Sequence, residues 1–207
     1  MLSRLVLASG NQGKLRELAQ LLAPLHIELI DQKSVGIADA EEPFATFVEN
    51  ALHKARHASR ASGLPALADD SGICAFALAG EPGVRSARYS VLDEAVQSAK
   101  GKHEIDAANN KKLVDALHEF SDKTAFYYCV LVFIKHPDDP APLIADGYWH
   151  GQIVNQPQGS GGFGYDPHFY LPTLQLTAAQ LSEDHKNKVS HRAQAMAKLL
   201  ALVQRLS

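Results

Sequence analysis

The sequence predicts an α/β protein built on one extended, mixed β-sheet. Three observations carry that expectation. Short apolar runs alternate with helix-period segments along the first half of the chain. One unusually long pair of β-type runs occupies the second half, and no internal repeat, linker or low-complexity stretch divides the chain. At 207 residues the length suits a single domain over residues 1–207, or one domain with two lobes around a cleft.

The elements follow in order. Arg4 to Ser9 is short, apolar and rich in Leu and Val, and reads as the first strand. Gly10, Asn11, Gln12 and Gly13 turn the chain. Lys14 to Leu22 then shows helical periodicity through Leu15, Leu18, Leu21 and Leu22, with Pro24 as the stop. Ile27 to Asp31 completes a β-α-β opening. Thr46 and Glu49 have the spacing of a capping box, which starts a helix running to about Ser62 with Phe47, Ala51, Ala55 and Ala58 as its buried face. Gly63 ends it, and Pro65 follows. Leu67 to Asp69 and Ile73 to Leu78 read as two strand pieces meeting at Ser71 and Gly72; Glu81 to Arg88 reads as a loop. Asp93 to Phe120 is mostly helical, split at Gly101. Ala125 to Lys135 is a long strand with Leu143 to Val154 as its antiparallel partner across the PDDPAP turn. Gln156 to Asp166 is a glycine-dense loop, and Ser190 to Leu206 is a closing helix with Ala193, Met196, Leu200 and Val203 as its apolar stripe.

Composition narrows the function classes. Apolar residues make up 46% and charged residues 21%, ordinary for a chain that buries a core. A net charge of −3 gives nothing global to attract nucleic acid or an anionic membrane, so neither is expected as a partner. An anionic ligand must be held by a local cluster of donors. Cys74 and Cys129 sit in apolar runs without metal or redox spacing, which fits a reducing compartment. The N-terminal apolar stretch is too short for a signal peptide and no segment is long enough to span a bilayer, so a cytoplasmic protein is expected by exclusion.

Four constellations carry chemistry. Ser9 to Lys14 (SGNQGK) places glycines and a lysine where a strand hands over to a helix, so free N–H groups, the helix dipole and an ammonium can face an anion. Its spacing is not that of a Walker A loop, and a glycine-rich turn with a solvated lysine is the alternative. Ala68 to Gly72 (ADDSG) offers two carboxylates at a strand end, suited to a hard cation such as Mg²⁺. On an extended backbone Asp69 and Asp70 point to opposite faces, so one faces a given site, and Glu41 and Glu42 are further acidic candidates. A turn with exposed carboxylates is the other reading. Gly159 to Pro167 (GSGGFGYDP) carries Phe163 and Tyr165 inside a glycine run, where a ring can stack on a base or plug a loop, and Asp166 can accept a hydrogen bond. Ser190 is a good N-cap, which puts His191 and Arg192 in a first helical turn whose dipole disfavours cations; Lys186 lies just upstream. Asn50 and Lys54 share a helix face, and Ser86 and Arg88 stand either as phosphate ligands or as loop supports. No Ser/His/Asp triad, reactive thiol or zinc spacing is present, which leaves acids, lysines and glycine loops suited to metal-assisted phosphate chemistry.

In this order the motifs SGNQGK, EEPFATFVENALHKA, LADDSGI, PGVRSARY, Asn109-Asn110, GGFGYDPHF and KNKVSHRAQA resemble the inosine triphosphate pyrophosphatase family, whose members are also called XTP/dITP diphosphatases. The likeness spans essentially the whole chain. It implies a long central mixed sheet with two α/β lobes flanking an active-site cleft, usually as a homodimer. It also implies Mg²⁺-dependent attack of water on the α-phosphorus of ITP, dITP or XTP, releasing pyrophosphate and clearing such nucleotides before they enter DNA or RNA. Residue by residue, the resemblance implies triphosphate binding at Ser9, Gly10, Asn11, Gln12, Gly13 and Lys14, with Lys54 adding charge. It implies general base and metal ligand roles for Asp70, metal association for Glu42 and a substrate contact for Ser71. Phe163, Gly164, Tyr165 and Asp166 would line the base pocket, completed by Lys186, His191 and Arg192 reading a 6-oxo group. Phe44, Val91 and a longer segment from Asp93 to Asp106 depart from the family pattern. Against a resemblance to the related Maf-like pyrophosphatases stand the absence here of their arginine-rich start after the first loop and the presence of the FGYD and SHR motifs, and intact Asp70, Glu42 and Lys14 speak against a nucleotide-binding module without catalysis.

Overall fold

A computed structural model describes residues 3–9, 12–23, 27–90 and 101–204. The readings made for Gly10, Asn11, Pro24, Val91 and the longer segment before Gly101 lie outside the described residues, as does the side chain of Gln12. The strands are β1 (Arg4–Ala8), β2 (Glu28–Asp31), β3 (Ala66–Ala75), β4 (Thr124–Ile134), β5 (Leu143–Ile153), β6 (Phe169–Leu171) and β7 (Leu176–Thr177). The helices are α1 (Gln12–Leu22), α2 (Phe47–Ser62), α3 (Lys102–Leu117), α4 (Glu183–Val189) and α5 (His191–Gln204). The seven strands form one sheet of order β2-β1-β3-β4-β5-β6-β7. β1 is parallel to β2 and β3, whereas β5–β6 and β6–β7 are antiparallel, so the sheet is mixed as expected.

Residues divide into two compact units, 1–70 with 129–147 and 190–207, and 71–128 with 148–189. β3, β4 and β5 contribute residues to both. In the first unit, Leu5 and Leu7 of β1, Leu15, Leu18 and Leu22 of α1, Leu131 and Phe133 of β4, and Met196 and Leu199 of α5 form the core. Thr46 caps α2 by accepting the Glu49 N–H at 3.4 Å, and its hydroxyl donates to the Glu49 carboxylate at 2.6 Å. The reciprocal half of the expected capping box is therefore a side-chain contact, not a bond to the Thr46 backbone. α2 meets the core through Ala51, Ala55 and Ala58, all buried. Gly147 of β5 lies so near α5 that a Cβ there would fall 2.0 Å from the His191 carbonyl oxygen. The absent side chain lets the helix carrying His191 and Arg192 settle on the strand.

The second unit has its own core of Ile73, Leu113, Leu117, Tyr127, Trp149, Tyr165 and Phe169. Tyr127 and Phe169 meet edge to face at 4.7 Å between centroids, a preferred aromatic geometry. Four local expectations are corrected. Ala66–Ala75 is one unbroken strand and not two pieces, and Phe76–Leu78 leaves it as a 3₁₀ turn. Gly83–Arg88 is a 3₁₀ turn within the expected loop. α4 lies just before the closing helix, where none was expected. The polar quartet Asp69-Asp70-Ser71-Gly72 looks like a turn only because its charge partners lie elsewhere in the chain.

The β4–β5 connection is organised by Asp139, a buried residue whose two carboxylate oxygens accept the Lys135 and Ala141 N–H groups, each at 3.0 Å. The Lys135 amide, opposed by burial and reinforced by the Ala141 amide, holds this carboxyl below the ordinary range. A depressed folded-state value stabilises the fold above the unfolded value of ~3.9, and that contribution is lost as pH falls through the folded value. Asp139→Ala is expected to cost about 1–3 kcal/mol at neutral pH by leaving two amides without their acceptor. In urea titrations the gap to the wild type should narrow below pH ~4; a gap independent of pH would contradict the charge assignment.

Candidate active site

In the first unit, charged side chains from three helices and one loop converge on the buried middle of β3. Asp69, 1% exposed, pairs with Lys14 of α1 at 3.0 Å and with Arg192 of α5 at 3.6 Å. Arg192, also 1% exposed, makes a second, close ion pair with Glu17 of α1. Asp70 points the other way, as alternation along a strand requires, and meets Lys54 of α2 at 3.0 Å. The same Lys54 ammonium lies 2.7 Å from Glu42. Asn50 makes that contact possible: its side chain accepts the Phe44 N–H at 3.0 Å and donates to the Phe44 carbonyl at 3.1 Å, tying the loop that carries Glu42 to α2. Asn50 is fully buried and belongs to the scaffold, whereas Lys54 one turn later belongs to the charged network.

The two adjacent carboxyls are driven apart. Burial alone would raise Asp69, but Lys14, Arg192 and Lys54 overcome it and hold the group well below the ordinary carboxylate range. Burial pushes Asp70 up, Lys54 and Lys14 pull it down and Glu42 pushes it up again, with a net rise. Burial opposes the Lys54 ammonium, yet Asp70, Glu42 and Asp69 prevail and raise its pKa. Neighbouring titratable groups with opposed environments are a pattern expected of acid–base sites. Cys129 lies within this network, but burial pushes its thiol up to about 12, and burial takes Cys74 to about 11. Neither is an activated nucleophile.

The donor set fits a hard divalent cation. Asp70 Oδ2 is buried without a hydrogen-bond partner among the described residues, and Glu42 stands beside the same ammonium. No group of three or more His, Cys, Asp or Glu side chains poised for a metal occurs among the described residues. A cation here would therefore complete its shell with water and substrate oxygens, as Mg²⁺ commonly does.

The second unit holds the glycine-rich loop. Asp166 is its knot: one oxygen accepts from Tyr127 Oη at 3.1 Å, the other from the Phe163 N–H at 2.9 Å and Lys186 Nζ at 2.7 Å. Gly162 sits at φ +71°, and a Cβ there would fall 2.0 Å from Asp166 Oδ2, so only glycine allows this wrap. Of the two rings in the loop, Tyr165 is buried with its hydroxyl donating to the Ser86 carbonyl at 2.8 Å. Phe163 is the half-buried one, and the Lys186 ammonium lies 4.6 Å from its centroid. Ser86 accepts the Ile73 N–H at 2.9 Å and donates to the Gly83 carbonyl at 2.6 Å, which makes it a loop support.

The Ham1 family model matches residues 5–202. The chain belongs to the Ham1 family. A dITP/XTP pyrophosphatase of Ralstonia nicotianae is 59% identical to this Ham1-family chain over 197 residues, covering 95% of it and 94% of the relative. One from Nitrosomonas europaea is 54% identical, with coverage of 98% and 95%. Among solved structures, a HAM1 protein from Coxiella burnetii matches with a TM-score of 0.87 at 44% identity, covering 99% of this chain and all of that one. A nucleoside-triphosphatase / dITP/XTP pyrophosphatase from Mycobacterium abscessus matches with a TM-score of 0.72 at 35% identity, covering 95% and 98%.

Within this Ham1-family chain, Lys14, Glu42, Lys54, Asp70 and Arg192 share the network of the first unit, where Ser9, Gly13 and His191 are also buried. Ser71 follows Asp70 on β3, half-buried, and Glu41 is exposed. Phe163, Gly164, Tyr165, Asp166 and Lys186 belong to the second unit. Sequence reasoning missed Glu17, although it stands three residues after Lys14 and so shares its helix face. It missed Asp106 as well, whose carboxylate accepts the Gly164 N–H at 3.2 Å, and it quoted Asn110 without a task; Asn110 donates to the Gly164 carbonyl at 2.8 Å. Asp69→Ala removes the counter-ion shared by Lys14 and Arg192 and is expected to cost about 3–5 kcal/mol, the range for breaking a buried pair. Denaturant titration measures this; a loss under ~1 kcal/mol, the scale of an exposed pair, would show that the network is not structural.

Proposed function

We propose that this chain hydrolyses dITP, XTP and ITP to the nucleoside monophosphate and pyrophosphate. The observation that carries the reading is the opposed pair on β3. Asp69 is locked as an anion by Lys14 and Arg192, while Asp70 is raised and keeps one buried oxygen unpartnered among the described residues. The names of the family's members, dITP/XTP pyrophosphatase, support the substrate class.

Ser9 to Lys14, at the entry to α1, is assigned to the phosphate chain, because the first turn of that helix carries no acidic side chain to compete with an anion. Lys14 and Lys54 contribute positive charge. Asp70 accepts the proton of the attacking water as the new bond forms to the α-phosphorus, and pyrophosphate leaves. Mg²⁺ held by Asp70 and Glu42 would offset the negative charge of the phosphates. The purine is assigned to Phe163, with Asp166 and Tyr165 fixing the loop that presents it. Selection for a 6-oxo purine is assigned to the donors Lys186, His191 and Arg192, since a 6-amino group offers them no acceptor. Clearing such nucleotides from a cytoplasmic pool, before they are misincorporated into DNA or RNA, belongs to the same proposal.

Pyrophosphate release from ITP, dITP, XTP, ATP, GTP and dTTP, with and without Mg²⁺, tests it. Release from the first three that disappears with EDTA is expected; a preference for dTTP, or tight binding without release, would overturn the reading. Asp70→Asn should lower kcat by about 10²–10⁴, the scale of general-base catalysis, and full activity in that variant removes Asp70 from the chemistry. The homodimer implied by the resemblance predicts a two-chain mass in light scattering, and a monomer at assay concentration would contradict it.

A further inference from the structure

α3 carries Asp106 and Asn110 one turn apart, hence on one face, and that face serves the glycine-rich loop. Asp106 accepts the Gly164 N–H at 3.2 Å and Asn110 donates to the Gly164 carbonyl at 2.8 Å, so one helix holds both backbone groups of one residue. The preceding residue is held from another side. The Phe163 N–H goes to the Asp166 carboxylate at 2.9 Å, and the Phe163 carbonyl accepts the Asp166 N–H at 3.4 Å. Every backbone donor and acceptor of Phe163 and Gly164 is therefore engaged. The helix is itself tied down next to the clamp: Asn109 accepts the Ser90 N–H at 2.7 Å and donates to the Ala87 carbonyl at 3.1 Å. Tyr165 closes the circuit through its bond to the Ser86 carbonyl. Buried backbone groups need such partners for stability alone, yet the ring at the centre of this arrangement is not part of the unit's core. Tyr165 packs there, and Phe163 is only half-buried. Gly164 stands at φ +64° with nothing within 4 Å of where a Cβ would be, so the clamp fixes an angle that no crowding enforces.

We propose that Asp106 and Asn110 are positioning residues for the purine: by fixing the Gly164 peptide groups they set the direction in which the Phe163 side chain is offered to the base. The inference rests on the assignment of Phe163 to the purine under the proposed function. A glycine changes its backbone angles at little steric cost, and a side chain attached one residue earlier moves with it. A ring that samples several directions must be ordered when the base arrives, and that ordering weakens binding. The pair acts through Phe163 and leaves the reacting atoms alone. The sign separates this role from a field effect, because removing a negative charge near a polyanion would by itself strengthen binding, whereas loss of the clamp weakens it.

Steady-state kinetics on ITP and XTP with Mg²⁺ test the pair. Asp106→Ala and Asn110→Ala should each raise KM by about 2–10-fold, the fold-change equivalent of one hydrogen bond, with kcat unchanged. Asp106→Asn keeps an oxygen for the Gly164 N–H and should hold KM at or below the wild-type value. Inhibition by inorganic triphosphate, which has no base, should not weaken in any of these variants. In a Phe163→Ala background Asp106→Ala should add nothing further, because both act through one ring. The proposal is overturned by an unchanged KM in Asp106→Ala, by an equal rise in Asp106→Asn, by weakened triphosphate inhibition, or by additive effects in the double variant. Asp106 is half-buried, so its two variants decide the matter even if Asn110→Ala does not fold. Phe163→Ala alone separates the two levels of inference. If it raises KM while Asp106→Ala does not, the positioning role alone is wrong; if it leaves KM unaltered, the purine assignment fails and the positioning role with it.

Discussion

Two successive carboxylates on a buried central strand must find opposite charge from outside that strand, and the first unit is arranged around this demand. A strand sends neighbouring side chains to opposite faces, so Asp69 and Asp70 need separate partners. α1 and α5 supply Lys14 and Arg192 to one; α2 supplies Lys54 to the other. Glu17 and Glu42 then balance the cations, leaving three positive groups among four negative ones. Isolated charges could not remain ionised at this depth. The need to pair them ties three helices to one strand and also sets the two aspartates in different electrostatic states.

That division of labour has a chemical consequence. A carboxylate saturated by a lysine and an arginine is a poor proton acceptor, and its value lies in holding those cations in place. Its neighbour, raised by burial and adjacent to a second carboxylate, is the group with capacity left for a proton, a water or a cation. The second unit repeats the strategy in a loop. Asp166 gathers a tyrosine hydroxyl, a backbone amide and an ammonium, and Gly162 makes room for it. A segment with several glycines would otherwise sample many conformations, and one buried carboxylate converts it into a fixed mount for Phe163.

Much of this was legible in the chain. Helix α2 could be placed from Thr46 to Ser62, because its cap, its alanine spacing and its terminal glycine are local signals. The long runs of β4 and β5 were equally plain, since eleven-residue apolar or alternating stretches leave few alternatives. The unbroken course of β3 was not legible: Asp-Asp-Ser-Gly has the composition of a turn, and only Lys14, Lys54 and Arg192, distant in sequence, make it tolerable inside a sheet. α4 escaped notice for the converse reason, as seven largely polar residues show no periodicity.

The sequence by itself determined the fold class and the family, and singled out the acids, lysines and glycine loops that are candidates for the chemistry, because these depend on local pattern and on residue identity. Tertiary structure alone decided which aspartate is locked and which keeps capacity, and that Tyr165 anchors while Phe163 is presented. Each of those outcomes turns on burial and on charges brought together from far along the chain, and electrostatic energy depends on distance and solvent exclusion, which no linear spacing encodes.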